Sequence, residues 1–206
     1  MEKFMMDHQI NTLFHFTQAS NLPSIFKHGL LPKETLLSQC IDTEYNDDYR
    51  HDKCPNAICM SIEYPNYKMF YSLRDKNPNI DWVVIKIDAS VLLNFSCAFC
   101  ISNAGSTESY SIEIEKRKGV EALKKLYQEY PGQIIRHDMN INNSYPTNPQ
   151  AEVLVFGCVP LEYISEVCFD SDTTYMKYES CIPDNIQVTN SHQWFDPRCD
   201  WRDWQK

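Results

Sequence analysis

Apolar residues in this chain come in short runs separated by polar, turn-forming stretches, a spacing that restricts it to a sheet covered by helices. Leu13 to Thr17 (LFHFT) alternates like a half-buried strand. Ala57 to Ile62 (AICMSI), Trp82 to Ile87 (WVVIKI), Val153 to Phe156 (VLVF) and Ile164 to Phe169 read as further strands, the last two divided by a turn at Pro160. Between them the period changes. Ser20 and Pro23 open a helix that Gly29 closes. Pro65 suits the first turn of a second helix, PNYKMFYSLRD, in which Tyr67, Phe70 and Tyr71 recur at the spacing of a buried face. Glu108 to Tyr130 reads as a long polar helix broken near Gly119. Strands interleaved with helices, with no repeat and no Gly/Ser linker, predict one α+β domain over residues 1–206. Its core spans about 12–183, followed by a tail, 184–206, that carries Trp194, Trp201 and Trp204.

Charge and cysteine content narrow the function classes. Nineteen Lys and Arg face 28 Asp and Glu, a net charge of −9, which argues against coating duplex DNA through bulk positive charge. No run reaches the length of a membrane span, and the first residues, MEKFMMDHQINTLF, lack a secretory pattern, so a soluble cytoplasmic protein without membrane contact is expected. Nine cysteines without a signal peptide argue for reduced thiols rather than a disulfide framework. Cys97 and Cys100 form the one close pair, but no second pair or spaced histidines complete a tetrahedral site. The sequence therefore predicts packing cysteines and no metal.

The longest irregular stretch, residues 131–150, is rich in Asn, Pro and Tyr, and loops of that length within a compact domain are often functional. It leads into Ala151 and Glu152, so Glu152 stands where a polar loop enters a buried strand. On residue chemistry alone it reads as a solvent-facing edge carboxylate. The basic-looking cluster Lys116, Arg117, Lys118, Lys124 and Lys125 is offset by four glutamates between 113 and 130, and reads as a solvated mixed-charge helix.

Four blocks change the weight given to Glu152. LFHFTQASNLPSIFKHGLLPKETL (13–36), YRHDKCPNAICMSIEYPNYKMFY (49–71), CAFCISNAGS (97–106) and QAEVLVFGCVPLEYI (150–164) together resemble DarT-type DNA ADP-ribosyltransferases, toxins of bacterial toxin–antitoxin systems. The resemblance covers most of residues 12–170. It implies the ADP-ribosyltransferase fold, a split, mostly antiparallel β-sheet with peripheral helices, with NAD+ as cosubstrate. It also implies single-stranded DNA as substrate and a cognate antitoxin, of macrodomain or NADAR type, that removes ADP-ribose.

By that resemblance Glu152 is the catalytic glutamate and Arg50 a catalytic arginine that also holds the cosubstrate. A fixed carboxylate suits the chemistry, because the nicotinamide ring is already cationic in NAD+ and needs no general acid to leave, while its departure develops positive charge on the ribose. A guanidinium at Arg50 can grip a phosphate or orient the target base; without the resemblance it reads as a surface cation answering the acidic stretch before it. His15, Thr17, Asn21, Leu22, Ser61 and Tyr67 match positions near the cosubstrate, with Tyr67 or Tyr64 as a ring that stacks on nicotinamide. His15 on its own reads equally as a satisfied core histidine, and Tyr67 as a core aromatic.

For the DNA strand, Arg136, His137 and Tyr145 in the long loop offer charge, hydrogen-bonding edges and a stacking face. Gln150, two residues before Glu152, resembles the Gln-x-Glu arrangement of pierisin-like enzymes, and a neutral amide can pair with a purine edge. The sequence reading is therefore transfer of ADP-ribose to guanine in single-stranded DNA. Thymine, RNA, a protein side chain, or an inactive binding module of the same fold are its alternatives.

Overall fold

The computed structural model describes residues 1–44 and 52–205. In chain order it contains α1 (Glu2–His8), β1 (Thr12–Gln18), α2 (Leu22–His28), α3 (Lys33–Ser38), β2 (Ala57–Ile62), α4 (Tyr67–Lys76), β3 (Trp82–Asp88) and α5 (Val91–Asn94). Then follow β4 (Cys97–Cys100), α6 (Thr107–Tyr110), α7 (Gly119–Lys125), β5 (Glu152–Phe156), β6 (Ile164–Phe169), α8 (Asp172–Tyr178) and β7 (Gln187–Asn190). The strands form one sheet in the order β4-β5-β2-β1-β3-β6-β7, antiparallel except for the β6–β7 pair.

The sheet is split at its centre. β1 pairs with β3 along its whole length, from Thr12 opposite Asp88 to Gln18 opposite Trp82. Against β2 it pairs only at Leu13–Ile62 and Phe14–Ser61, after which the two strands part. Alternation along each strand buries both faces. One face carries a continuous core including Leu13, Ile58, Met60, Ile85, Val153 and Phe169. The opposite face is divided by the split into a cluster around Phe14, Phe70, Val84 and Phe195 and another around Ala57, Ala98, Cys100 and Leu154. Each fully buried Leu or Ile contributes ~1.5–3 kcal/mol, more than any strand propensity, so this two-sided pattern sets the register.

The strands read from sequence stand almost residue for residue, and Gly29 ends α2 as expected, with φ 77° and ψ −171°. Several expectations are corrected. The break expected near Gly119 is present, Gly119 having φ 79° and Lys118 being extended in a bridge to Ala98, but the helical content is smaller than expected: two short helices, α6 and α7, with a 3-10 turn at Ile114–Arg117. The charges of this stretch form the mixed pairs Glu113–Lys116, Glu115–Lys118 and Glu121–Lys124, but Arg117, read as solvated, is 5% exposed and donates to the Cys100 thiol at 3.2 Å. α4 begins at Tyr67 rather than at Pro65, and Tyr71 is 63% exposed because only Tyr67 and Phe70 face inward.

Residues 184–205 pack on the body: β7 is the seventh strand, and Phe195, Arg198, Asp200 and Trp204 are buried. Trp194 packs on Phe14 and Tyr64, with the Lys86 ammonium over its ring. Cys97 and Cys100, an odd number of residues apart on β4, point to opposite faces, into different clusters. Burial pushes their thiols up to about 12 and about 11. Among the described residues no helix is long and apolar enough to cross a membrane.

Candidate active site

Where β1 and β2 part, a cleft of about 250 Å³ passes through the sheet. Its walls come from both faces: His15 and Thr17 of β1 with Ile58 and Met60 of β2 from one, Ser61 and Glu152 from the other. His15 sits at the point of separation. Its Nδ1 lies 2.9 Å from the carbonyl of Cys59, and since a carbonyl only accepts, the ring donates there. The imidazole thus takes over where the backbone ladder stops, which fixes its tautomer and the width of the gap.

Glu152 is the first residue of β5, opposite Cys100 of β4 in register, and is 5% exposed. The edge-residue reading therefore fails: the carboxylate is buried, and it lines the cleft. Burying a carboxylate is costly unless its oxygens accept hydrogen bonds. Asn66 Nδ2 donates to Oε1 at 3.0 Å, Asn103 Nδ2 to the same oxygen at 3.1 Å, and the Ala104 N–H to Oε2 at 2.8 Å. These three donors are neutral dipoles that offset part of the cost of burying the carboxylate. Asn103 is itself held by the Gly105 N–H on its Oδ1, and Ala104 and Gly105 complete that wall of the cleft.

Asn21 lines the cleft, but its amide is saturated: Nδ2 donates to Thr17 Oγ1 and the Glu44 carbonyl, while Oδ1 accepts from Thr43 Oγ1 and the Glu44 N–H. It ties residues 43–44 to β1 and shapes the wall rather than presenting a free edge. Ser61 lines the cleft and its Oγ accepts from the Asn66 N–H. Leu22, expected beside the cosubstrate, is wholly buried in the main core, because the first turn of α2 packs it inward. Tyr67, expected to stack on nicotinamide, does not line the cleft; its buried hydroxyl lies near Asp200 and Arg198, and burial pushes it up to about 12.

The long loop is irregular as expected, with one 3-10 turn at Arg136–Met139. None of Arg136, His137, Tyr145 or Gln150 lines the cleft. Arg136 is spent within the loop, on Thr147 Oγ1 at 3.1 Å and the carbonyl of Asn143 at 3.1 Å. His137 is exposed, and Tyr145 packs edge-on against Tyr64. The Gln150 N–H is taken by Asn148 Oδ1. Arg50 lies outside the described residues.

Several residues here escape a reading of the sequence. Asn66 and Asn103 carried a faint signal, since Asn66 precedes a helix as a capping residue does and Asn103 stands in the quoted SNAG segment. Asp52, buried on the cleft wall, accepts from the Cys54 N–H at 2.9 Å, and Lys33 places a cation at the cleft. Arg198, 1% exposed, pairs with Asp200 at 2.6 Å and donates to the carbonyls of Pro146 and Thr147, fastening the loop that delivers Glu152. Nothing local in the sequence marks that clamp.

A split antiparallel sheet, a cleft through the split and one buried carboxylate at a strand end define the class: this is the ADP-ribosyltransferase fold. A family model described as "ssDNA thymidine ADP-ribosyltransferase, DarT" matches residues 14–201, and the chain belongs to that family. The match runs through most of the tail, beyond the reach of the four sequence blocks. No curated protein matches the sequence.

Among solved structures, a Thermosipho africanus DarTG in complex with ADP-ribose is similar with TM-score 0.63 and 19% identity over 89% of this chain, which spans 50% of that one. A Thermus sp. 2.9 DarT in complex with carba-NAD+ is similar with TM-score 0.62 and 12% identity, over 90% of this chain and 97% of that one. The same Thermus protein in complex with ADP-ribosylated ssDNA gives TM-score 0.55 and 13% identity over 91% of this chain and 97% of that one.

Proposed function

We propose that this chain transfers ADP-ribose from NAD+ to thymidine in single-stranded DNA, as the toxin of a pair whose antitoxin removes the modification. The observation that carries the reading is Glu152, buried at the cleft and held by Asn66, Asn103 and the Ala104 N–H. The cleft also suits a dinucleotide: Ile25, Leu30 and Met60 offer apolar walls for a flat ring, and Thr17, Ser24 and Lys33 supply polar and cationic groups for ribose and phosphate.

In this reading Glu152 accepts a hydrogen bond from the ribose and stabilises the positive charge that develops at its anomeric carbon. The bond from that carbon to the nicotinamide nitrogen breaks, and nicotinamide leaves as a neutral molecule with the electron pair. A new bond forms to the base. In DNA the thymine ring keeps a single N–H, so a ring-nitrogen attack releases that proton, and Glu152 is the acceptor assigned to it. His15 holds the split open at a fixed width, and Arg50 is assigned to the cosubstrate phosphate or the target base.

Two observations favour thymidine over the guanine expected from Gln150. The description of the matching family names thymidine, and the Gln150 side chain does not line the cleft. Incubation with NAD+ and oligonucleotides differing in one base tests this by mass spectrometry. The expected result is an ADP-ribose adduct on a thymidine-containing strand that lacks guanine, and none on the converse strand. The reverse pattern restores guanine. Full transfer by Glu152→Gln refutes the catalytic assignment, and full activity of Arg50→Lys reduces that arginine to a generic cation.

A further inference from the structure

Asn66 is fully buried and stands between α4 and the sheet with each of its polar groups committed. Its N–H donates to Ser61 Oγ at 3.1 Å, its Oδ1 caps α4 by accepting from the Met69 N–H at 3.2 Å, and its Nδ2 reaches Glu152 Oε1 at 3.0 Å. The capping duty alone does not explain the residue, because Asp, Ser and Asn cap helices about equally well. The second duty does. Only an amide offers an acceptor to the helix and, from the same planar group, a donor to a carboxylate. Asp in its place would set a second negative charge within hydrogen-bond distance of Glu152, and Ser would cap the helix but fall short of the carboxylate.

We infer that Asn66 is a positioning residue for the transfer reaction: by joining the first turn of α4 to the Glu152 carboxylate, it holds that carboxylate in the orientation that meets the ribose. The inference rests on the assignment of Glu152 proposed above. Asn103 and Ala104 bind the same carboxylate, but both sit on the loop that follows β4, whereas Asn66 ties it to the end of a ten-residue helix. α4 is in turn anchored by Phe70, which is wholly buried, and by Arg74, whose guanidinium donates to the Phe195 carbonyl. The glutamate is thereby aimed by the helical layer and the tail as well as by its own strand.

The test uses the full chain with Asn66→Ser, Asn66→Asp and, as a control, Glu152→Gln. Asn66→Ser keeps a cap for α4, so it is expected to fold and to bind NAD+ with KM within about twofold of the parent, while kcat falls ~10- to 100-fold, the scale of displacing a reacting group by about 1 Å. A purely structural role would instead lower the melting temperature and leave kcat per folded molecule unchanged, and that result overturns the inference.

Asn66→Asp is read without substrate, by carbon-detected NMR titration of the Glu152 carboxylate in the unliganded protein. Among the described residues, the ionisable groups that face it include Cys100, opposite it on β4, with Arg117 against that thiol, and His15, Lys33 and Asp52, which line the same cleft. None of these changes in the variant. A raised midpoint is expected, since two carboxylates at this distance cannot both ionise freely. An unshifted midpoint overturns the inference even if Asn66→Ser fails to fold. Transfer retained by Glu152→Gln overturns the underlying catalytic reading instead.

Discussion

Replacing Gly29 by alanine should loosen the wall of the cleft from outside the chemistry. Gly29 closes α2 at φ 77° and ψ −171°, a region that only glycine occupies at low cost. A Cβ there would stand 2.4 Å from the Val159 carbonyl oxygen and 3.2 Å from Pro160 Cα, backbone atoms that cannot swing aside. Holding alanine in this conformation costs ~1–3 kcal/mol. Relieving the clash moves the Val159 carbonyl, and with it the reciprocal Leu30–Val159 hydrogen bonds, both 2.9 Å, each contributing ~0.5–1.5 kcal/mol. The sum, ~2–6 kcal/mol, corresponds to a fall in Tm of about 4–24 °C in a domain of this size. Because Gly29 and Leu30 both line the cleft, KM for NAD+ should rise as well. Differential scanning calorimetry of Gly29→Ala beside Gly132→Ala isolates the clash, since Gly132 also has positive φ but nothing within 4 Å of the added methyl. Equal Tm shifts in the two variants would refute the reasoning.

Further outcomes follow from the tail, the thiols and one ion pair. Arg198→Met leaves Asp200 buried without its partner and should cost ~3–5 kcal/mol in denaturant unfolding, whereas Arg198→Met with Asp200→Leu should recover part of that loss; a double variant no more stable than the single contradicts the pairing. Under native conditions a thiol reagent should label exposed Cys40, Cys158 and Cys199 quickly and reach Cys97 and Cys100 only after unfolding, as peptide mapping will show. Burial opposes ionisation of Glu166, but the hydrogen bonds from Lys86 and Thr189 and the Lys86 charge outweigh it, holding its carboxyl below the ordinary 4.5. That stabilisation is present above the unfolded-state pKa and is lost as pH falls through the lower folded value, so Glu166→Gln should lose less Tm on acidification than the parent. Parallel acid profiles would reject it.

The strands were legible because each buries apolar residues on both faces, a pattern written locally in AICMSI, WVVIKI and VLVF. β4 and β7 were not, since four-residue strands such as CAFC and QVTN carry too short a period and form only beside a neighbour already in place. The supposed long helix failed for a related reason. Mixed charges at helical spacing are compatible with a helix, but the extended Lys118 that interrupts it is fixed by its bridge to Ala98, far away in sequence. At the site, the place of Glu152 at the mouth of a polar loop drew notice, but Glu152, His15 and Ser61 were assigned only through the dispersed blocks, because burial and partners drawn from other segments leave no local mark.

By itself the sequence determined the strand segments, the end of α2, the α+β class and, through dispersed blocks, the family. Only the tertiary structure decided that β1 and β2 part after two residue pairs, that the cleft runs through that gap, and that Asn66, Asn103 and Ala104 converge on one carboxylate. It likewise turned Leu22 and Tyr67 away from the cleft and drew Arg198 under the loop before Glu152. The physical reason is range. Burial periodicity and turn chemistry act over a few residues and leave their mark in the chain, whereas a buried carboxylate draws its donors from whatever segments the sheet brings to it, here 48 and 86 residues away.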